Sequence, residues 1–530
     1  MPPTLQDLLK QEAPARGVSD DELKTLLMAL DGKSADEIAE LEGLSSVAIR
    51  KRLGKTFTKF GITDKGPGKL QKLQLLLQNS TNLLTPASTP KLALDNISPQ
   101  QDWGEAPDVE SETFYGRTEE QEKLKHWILK EQCRLVAVLG MAGIGKTTLA
   151  VKLAREIEDE FEYVIWRSLR NAPSPDDLLK DLLEFLPHQQ NQESATDFNS
   201  KLSELMECLK AHRCLLILDN IETILKSGDF AGHYEEKYKN YGVLLKRIGD
   251  EPHKSCLLLT SREKPREIVL LEGETSPVRS LSLEGLGTAA KKILQAKGLS
   301  DENKWERLIK LYQGNPFALN LIAKIIQELL GGKVADFLDL SLTVVLKDIS
   351  VLLEDQFNRL NHEEKQIVYW LALEPVSLSI AQLQNKFILS IPPSDLLNAL
   401  KSLNDRSLLE KPAGTFTLQP TVKEFVRNQF IDEVCQEIKA ASSQNELNLL
   451  KSHLLNNSPT QGDAKEGKTS SICSLVKEKL YMRRDFKTGS EIIEQLKKLL
   501  ASVQGKSKFE VGYAEENVQN LLEELGIGNG

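Results

Sequence analysis

Gly140-Met-Ala-Gly-Ile-Gly-Lys-Thr-Thr148 decides the fold, because it matches the pattern G-x-x-x-x-G-K-T of a phosphate-binding loop. An apolar strand pattern at residues 133–140 precedes the loop, and an amphipathic helical pattern at residues 147–159 follows it, as the motif requires. Backbone N–H groups can surround a β-phosphate, the Lys146 ammonium can neutralise β- and γ-phosphate oxygens, and the Thr147 hydroxyl can ligate Mg²⁺. The predicted phosphate-contacting residues are Gly140, Met141, Ala142, Gly143, Ile144, Gly145, Lys146, Thr147 and Thr148.

A second apolar strand, Leu215-Leu-Ile-Leu-Asp219, ends in a carboxylate. A carboxylate after such a strand can hold the Mg²⁺ shell beside the phosphate-binding loop, so Asp219 is the predicted second metal-site residue. The next residue is Asn220, whose amide cannot act as a general base. Glu222 lies two residues further along, at a reach that the sequence does not fix. We therefore expect slow rather than fast hydrolysis.

A third apolar strand, Cys256-Leu-Leu-Leu-Thr-Ser-Arg262, ends in an arginine. The carboxyl ends of parallel strands face one crevice, so Arg262 is predicted to sense the γ-phosphate or to stabilise its charge. The alternative is a surface arginine that merely follows the strand.

Length and composition indicate a multidomain chain without a membrane segment. A chain of 530 residues exceeds one hydrophobic core, and no apolar stretch reaches the roughly 18–20 residues that span a bilayer. The N-terminal 17 residues lack the apolar core of a signal peptide. Six scattered cysteines without a CxxC pair favour reduced thiols, a cytoplasmic location and no membrane partner. The net charge of −10 means that nucleic-acid binding would require a local basic patch.

The order of the motifs resembles that of NB-ARC ATPases. Phe114-Tyr-Gly-Arg117 precedes the apolar strand that leads into the phosphate-binding loop. The loop, the strand that ends at Asp219 and the strand that ends at Arg262 follow in that order, and Gly314-Asn-Pro-Phe-Ala318 comes last. NB-ARC ATPases belong to the STAND class of signal-transduction NTPases, and the resemblance to bacterial, especially cyanobacterial, members covers roughly residues 112–430. It implies ATP or ADP with Mg²⁺ as the bound ligands.

The resemblance also implies roles for residues outside the phosphate-binding loop. Pro316 would pack beside the adenine, Phe114 and Tyr115 would lie near the base, and Arg117 would support the nucleotide from the N-terminal side. Many relatives have a Met-His-Asp motif whose histidine contacts the β-phosphate of ADP. Gln419 stands at the equivalent position here, and it can donate a hydrogen bond but carries no positive charge.

The implied fold is a multidomain α/β plus α architecture, closed over ADP at rest. Four prolines among polar residues mark a linker between the N-terminal helices and the strand-rich part. The predicted boundaries are 1–78 for a helix-turn-helix domain, 79–111 for the linker, 112–280 for a P-loop nucleotide-binding domain with a parallel sheet, 281–345 for a helical (ARC-like) domain, 346–430 for a winged-helix domain and 431–530 for a C-terminal helical segment.

The N-terminal residues predict short helices around a tight turn. Ser34-Ala-Asp-Glu37 forms a capping box, Gly43-Leu44 marks the turn, and Ser45–Phe60 forms the next helix. This arrangement resembles the DNA-binding domain of LuxR-type regulators. Residues 19–42 hold eight acidic and two basic side chains, whereas residues 45–60 hold five basic and no acidic ones. The predicted DNA-binding residues are Ser45, Ser46, Arg50, Lys51, Arg52, Lys55 and Lys59.

Two functional hypotheses follow from these patterns. The leading hypothesis is an ATP/ADP-dependent switch that oligomerises on ATP binding and regulates transcription through its N-terminal helices. The alternative is a defence-like signalling scaffold whose N-terminal domain is an adaptor for a separate effector protein; a plain structural cap is a third interpretation of those helices. Similar bacterial proteins begin a repeat sensor near where this chain stops, so we expect sensing either by another protein or by residues 431–530.

Overall fold

The computed structural model describes residues 18–30, 33–60, 100–109, 114–187, 197–340, 345–389, 391–440, 447–455, 471–482 and 488–527. The chain divides into two compact units, Met1–Asn96 and Ile97–Gly530.

The described residues of the N-terminal unit form three short helices packed around a small core. They are α1 (Asp20–Leu30), α2 (Ala35–Glu42) and α3 (Ser46–Lys59). The capping box predicted at Ser34 and Glu37 is present, and Gly43 ends α2 with a left-handed φ of 65°. The core consists of side chains from all three helices and from the residue after α3, among them Leu26, Ile38, Ile49, Phe57 and Phe60. The rest of the predicted 1–78 domain lies outside the described residues.

A six-stranded parallel sheet organises the first part of the larger unit. Its order is β1-β3-β4-β5-β2-β6, and every neighbouring pair is parallel. The strands are β1 (Gln100–Asp102), β2 (Leu135–Leu139), β3 (Tyr163–Ser168), β4 (Cys214–Asp219), β5 (Cys256–Ser261) and β6 (Val278–Ser282). The predicted parallel sheet is thus confirmed, with β2, β4 and β5 inside the three apolar runs.

Alternate residues of the central strands enter two separate cores, one on each face of the sheet. In β2, Leu135, Ala137 and Leu139 enter one core, whereas Val136 and Val138 enter the other. Helices cover both faces, which is why these strands are apolar throughout. The flanking helices are α4 (Thr118–Lys125, continued by a π-turn His126–Lys130), α5 (Lys146–Ile157), α6 (Pro175–Phe185), α7 (Phe198–Ala211), α8 (Lys239–Asp250) and α9 (Arg266–Leu271).

The strand β1 corrects the predicted linker. Gln100–Asp102 lies within residues 79–111, yet it pairs with β3 in parallel register. An edge strand has a neighbouring strand on one side only, where polar residues are tolerated. The sequence of β1 is therefore polar and shows no apolar run. Arg167 of β3 fixes the strand through its Nη2, which donates to Asp102 Oδ2 at 2.6 Å. The predicted linker is therefore too long at its C-terminal end.

Helices make up most of the remaining part of the larger unit. A two-stranded antiparallel ribbon, β7 (Leu409–Glu410) with β8 (Thr417–Leu418), interrupts them. We call residues 347–418, which contain this ribbon, the hairpin region. The helices are α10 (Lys291–Ala296), α11 (Trp305–Leu311), α12 (Pro316–Leu330), α13 (Val334–Leu338), α14 (Lys347–Asn358), α15 (His362–Leu373), α16 (Ile380–Gln384), α17 (Pro393–Asp405), α18 (Pro420–Ala440), α19 (Leu449–Ser452), α20 (Ile472–Met482), α21 (Gly489–Val503), α22 (Lys508–Val511) and α23 (Ala514–Glu524).

A single apolar core joins these helices across the predicted domain boundaries. It extends from Met141 of the loop after β2, through α12 and α15, to Leu522 of α23. All six cysteines are buried free thiols, as the sequence predicts. Among the helices that the structure describes, none is long and apolar enough to cross a membrane.

Candidate nucleotide-binding site

The loop between β2 and α5 lies at the carboxyl edge of the sheet, where the motif places it. Met141, Ala142 and Ile144 are buried, and Thr147 and Thr148, the second and third residues of α5, are half-buried. Gly143 has a left-handed φ of 73°, and a Cβ there would lie 2.7 Å from Cβ of Phe317. Only glycine therefore allows α12 to approach the loop this closely.

Lys146 is the buried cation of the loop. Its Nζ donates hydrogen bonds to the carbonyl oxygens of Gly140, at 2.9 Å, and Met141, at 3.0 Å. Burial lowers the pKa of Lys146 from its ordinary value of 10.5 to about 8. Among the charged groups that act on this pKa, Glu222 leads, followed by Arg262 and Asp219. The site thus holds a partly desolvated ammonium that an anionic phosphate would stabilise.

Asp219 and Thr147 meet beside the loop, as the sequence predicts for a magnesium site. Oδ1 of Asp219 accepts hydrogen bonds from Oγ1 of Thr147, at 2.8 Å, and from Oγ1 of Thr260, at 2.5 Å. Burial raises the pKa of Asp219, and the two hydroxyl donors oppose that rise. Mg²⁺ prefers oxygen ligands such as a hydroxyl and a carboxylate. Thr147 and Asp219 therefore fit a Mg²⁺ ion that would arrive bound to a nucleotide. The described residues contain no cluster of three or more His, Cys, Asp or Glu that could hold a metal alone.

Arg262 and Glu222 form an ion pair beside these residues. Nε of Arg262 lies 3.2 Å from Oε1 of Glu222, and the backbone N–H of Arg262 donates to Oε2 at 3.2 Å. Glu222 is only 5% exposed. Arg262 follows β5 at the sheet edge, and its guanidinium is engaged with a carboxylate rather than lying free on the surface.

Asn220 turns the chain out of β4 with a left-handed φ of 66°. Its backbone N–H donates to Oγ1 of Thr260 at 3.1 Å. Thr260 therefore fixes both Asp219 and the turn that follows it, a role that no pattern in the sequence indicates.

Arg117 contacts the loop through main-chain oxygens. Its Nη2 donates to the carbonyl oxygens of Ile144, at 3.1 Å, and Glu284, at 2.6 Å, and its Nη1 pairs with Glu120 at 2.7 Å. This buried guanidinium ties the phosphate-binding loop to the chain that leaves β6.

The two aromatic residues before Arg117 are half-buried and pack in different places. Phe114 packs against the core on the α5 face of the sheet, and Tyr115 packs against the core of the C-terminal helices. The structure therefore divides this predicted base-contacting pair between two cores.

The start of α12 covers the phosphate-binding loop. Asn315 caps α12 by accepting from the N–H groups of Phe317 and Ala318, and its Nδ2 donates to the carbonyl oxygen of Ala142 at 3.1 Å. Cγ of Pro316 lies 3.9 Å from the position that a Cβ on Gly145 would occupy. The family resemblance predicts Pro316 at the site, but it assigns no role to Asn315. An asparagine directly before a proline that begins a helix is typical of a helix cap, and this pattern could have indicated Asn315.

Gln419 lies between β8 and α18 and lines a small, mainly apolar cavity. Met141 and Ala142 of the loop, Asn315 and Phe317 of the α12 start, and hydrophobic residues of α14 form other walls of it. Gln419 therefore faces a cavity that the loop also lines, on the side of Met141.

In the N-terminal unit, the predicted DNA-binding residues divide into two sets. Ser45 caps α3 by accepting from the N–H of Ala48, and Ser46 is its half-buried first residue. Arg52 pairs with Glu42 at 2.7 Å, and Lys59 pairs with Glu22 at 2.6 Å. These acidic partners from α1 and α2 neutralise two of the five basic residues. The exposed basic residues of α3 besides Lys59 are Arg50, Lys51 and Lys55.

Comparisons with known proteins agree with this geometry. The family model of the NB-ARC domain matches residues 117–244. A WD repeat-containing protein of Nostoc sp. is 40% identical over 482 residues, covering 83% of this chain and 38% of that protein. A disease-resistance protein of Arabidopsis thaliana is 27% identical over 107 residues, covering 19% of this chain and 12% of that protein. The chain thus spans well under half the length of these relatives.

A solved structure, the Walker-type ATPase of Pyrococcus abyssi, is also similar. It is 15% identical with a TM-score of 0.42, covering 61% of this chain and 99% of that one.

Proposed function

We propose, from the NB-ARC domain that residues 117–244 form, that this chain is an ATP/ADP-dependent switch of the STAND class. One observation carries the proposal. The phosphate-binding loop is covered by the start of α12 through Asn315 and Phe317, and it shares a cavity with Gln419 after β8. A phosphate bound at this loop would therefore lie where the sheet, the helix α12 and the end of the hairpin region meet.

The switch follows from differential binding at that junction. Only a ligand that binds one arrangement more tightly than another can shift their populations. ADP and ATP differ by one γ-phosphate, and Arg262 is the cation that we assign to it. We infer that ADP favours the closed arrangement and that ATP opens it and promotes homo-oligomerisation.

Hydrolysis of ATP to ADP and phosphate would be slow and would reset the switch. Lys146 would neutralise β- and γ-phosphate oxygens, and Arg262 would stabilise charge on the γ-phosphate. Thr147 and Asp219 would hold Mg²⁺, which would offset the charge of the phosphates. Asn220 supports the slow rate, because its amide cannot take a proton from the attacking water.

We infer that residues 281–345 act as the ARC-like helical domain and that the hairpin region belongs to a winged-helix domain. The ribbon β7–β8 supports the second assignment, together with the antiparallel bridge between Leu378 and Phe416. The C-terminal helices 431–530 or a separate sensor protein would receive the signal. The WD repeats named for the Nostoc relative support a sensor of the repeat type.

DNA is the output partner that we propose for the N-terminal helices. The capped start of α3 and the exposed Lys51 and Lys55, one helical turn apart, support a helix that could enter a major groove. Arg52 and Lys59 would instead keep α3 against α1 and α2 through their acidic partners. The second candidate is an effector-recruiting scaffold, which the similarity to a plant disease-resistance protein favours.

Fluorescence anisotropy of a labelled duplex separates these two outputs. We expect the full chain with Mg-AMPPNP to bind the duplex and Lys51→Glu/Lys55→Glu to lose that binding while still binding AMPPNP. Lys123→Glu, a charge reversal at an exposed position of α4, is the matched control and should leave DNA binding unchanged. Equal DNA retention by the α3 variant, or none by the unmodified chain, would reject the transcriptional output in favour of the scaffold.

A further inference from the structure

We propose that Arg406, in the hairpin region, positions Arg262 at the nucleotide site through the neighbouring Glu263. The hairpin region would thereby set the preference of the site for a nucleotide that has a γ-phosphate. This inference rests on the proposed function, because it takes Arg262 as the residue that contacts that phosphate.

The end of β5 and the residues that follow it are hydrogen-bonded first to the nucleotide site and then to the hairpin region. Thr260 donates to Asp219, and the N–H of Arg262 donates to Glu222. Two residues later, the N–H of Lys264 donates to the carbonyl oxygen of Asp405 at 2.9 Å. The peptide that joins Arg262 to Glu263 thus lies between the site and the end of α17.

Glu263 is held by two arginines of the hairpin region. It is 1% exposed, and its Oε1 lies 2.5 Å from Nη1 of Arg406 and also contacts Nε of Arg359. Arg359 comes from the end of α14, and its Nη2 donates to the carbonyl oxygen of Leu225 at 3.0 Å.

Arg406 is fully buried, and each of its guanidinium nitrogens has a separate contact. Nη1 contacts Glu263, Nε lies 3.1 Å from Oε1 of Glu364, and Nη2 donates to the carbonyl oxygen of Asp229 at 2.6 Å. Oε1 of Glu364 also accepts from Ser402 at 2.5 Å. A lysine could make only some of these contacts, because its ammonium is a single point.

Burial makes the position of Glu263 strongly determined. The negative charges of Glu263 and Glu364 are paired with the positive charges of Arg359 and Arg406. A buried charge that loses its partner is costly in free energy. Glu263 therefore cannot leave its place while the hairpin region keeps Arg406 and Arg359 where they are. Consecutive Cα atoms are 3.8 Å apart, so fixing Glu263 fixes the backbone from which Arg262 extends.

If the cluster of Glu263, Arg359 and Arg406 only joined the hairpin region to the sheet, its loss would change the affinities for ATP and ADP alike. A cluster that positions Arg262 would affect the γ-phosphate contact alone. The two roles therefore differ in the ratio of affinities for ATP and ADP, which loss of structure does not by itself change.

Equilibrium binding of Mg-AMPPNP and Mg-ADP to the full chain tests this difference. Loss of one charge-assisted phosphate contact corresponds to roughly 10- to 100-fold weaker binding, and we expect Arg262→Met to weaken AMPPNP by that amount. Arg406→Met should weaken AMPPNP on the order of tenfold and change ADP affinity less than about twofold. In the Arg262→Met background, Arg406→Met should have no further effect, because both act through one contact.

Two further variants complete the experiment. Lys401→Met removes the ion pair between an exposed lysine and Asp405 on the same helix and should leave both affinities unchanged. Glu263→Gln keeps the shape of the side chain and loses its charge, so it carries the same test if Arg406→Met does not give folded protein.

The results separate the inference from the function on which it rests. An Arg262→Met variant that keeps full AMPPNP affinity would overturn both. A second result would be that Arg262→Met weakens AMPPNP binding as expected while the Arg406 and Glu263 variants lose ADP affinity and AMPPNP affinity equally. That result would overturn the positioning role alone. Additive losses in the double variant would do the same.

Discussion

The buried ammonium of Lys146 predicts that nucleotide binding is coupled to proton uptake above pH 8. Burial lowers the pKa of Lys146 from 10.5 to about 8, and one pKa unit corresponds to 1.36 kcal/mol. Keeping the charge in the folded chain therefore costs about 3 kcal/mol at neutral pH. Since the folded pKa lies below the unfolded one, this cost is present in full below pH 8 and disappears as the pH rises towards 10.5.

A bound phosphate restores the charge, because it pairs with the ammonium. At pH 9 the ligand-free site would hold roughly 0.1 proton on Lys146 and the bound site close to one, so binding takes up roughly 0.9 proton. At pH 7 the uptake falls to roughly 0.1 proton. ADP affinity should accordingly fall about tenfold between pH 7 and pH 9.

Calorimetric titration with ADP, in buffers of different ionisation enthalpy, measures this uptake directly. Lys146→Met should bind ADP roughly 10- to 100-fold more weakly at pH 7, through loss of a charge-assisted contact, and its affinity should not change from pH 7 to pH 9. Proton uptake at pH 9 no greater than at pH 7 would refute the buried-ammonium reasoning. Undiminished ADP affinity in Lys146→Met would refute the assignment of the loop.

Three substitutions probe the surroundings of Lys146. Asp219→Asn should spare ADP binding more than Mg-ATP hydrolysis, measured by phosphate release; equal losses would argue against its magnesium role. Gly143→Ala should weaken ADP binding in the same titration, because its Cβ would meet Phe317 at 2.7 Å, whereas unchanged affinity would show that the loop can move away. Asn315→Ala should lower stability by about 1 kcal/mol through loss of the α12 cap, seen as a lower unfolding temperature, and an unchanged temperature would count against that cap.

The central fold was predictable because its signals are local. The strands β2, β4 and β5 are buried on both faces, so each appears as an unbroken apolar run. The strands β1 and β6 escaped prediction because they lie at the two edges of the sheet, where polar residues are tolerated.

The candidate site was predictable where spacing alone defines it. Lys146 and Thr147 belong to one contiguous motif, and Asp219 ends a strand that such a motif requires. Thr260 and Arg406 could not be found in this way. A threonine within an apolar strand and an arginine at the end of an amphipathic helix have many ordinary explanations, and only the tertiary contacts distinguish them.

The same limit applies to the charge pattern of the N-terminal helices. All five basic residues of α3 were predicted to contact DNA. Glu42 and Glu22 pair with Arg52 and Lys59, so part of that charge stabilises the helical unit itself.

Size-exclusion chromatography with light scattering, on the full chain in Mg-ADP and in Mg-AMPPNP, tests the nucleotide switch most directly. We expect a monomer near 59.3 kDa in Mg-ADP and a higher oligomer in Mg-AMPPNP, with Arg262→Met remaining monomeric in both. The same mass in both nucleotides, despite binding of each, would contradict the central claim.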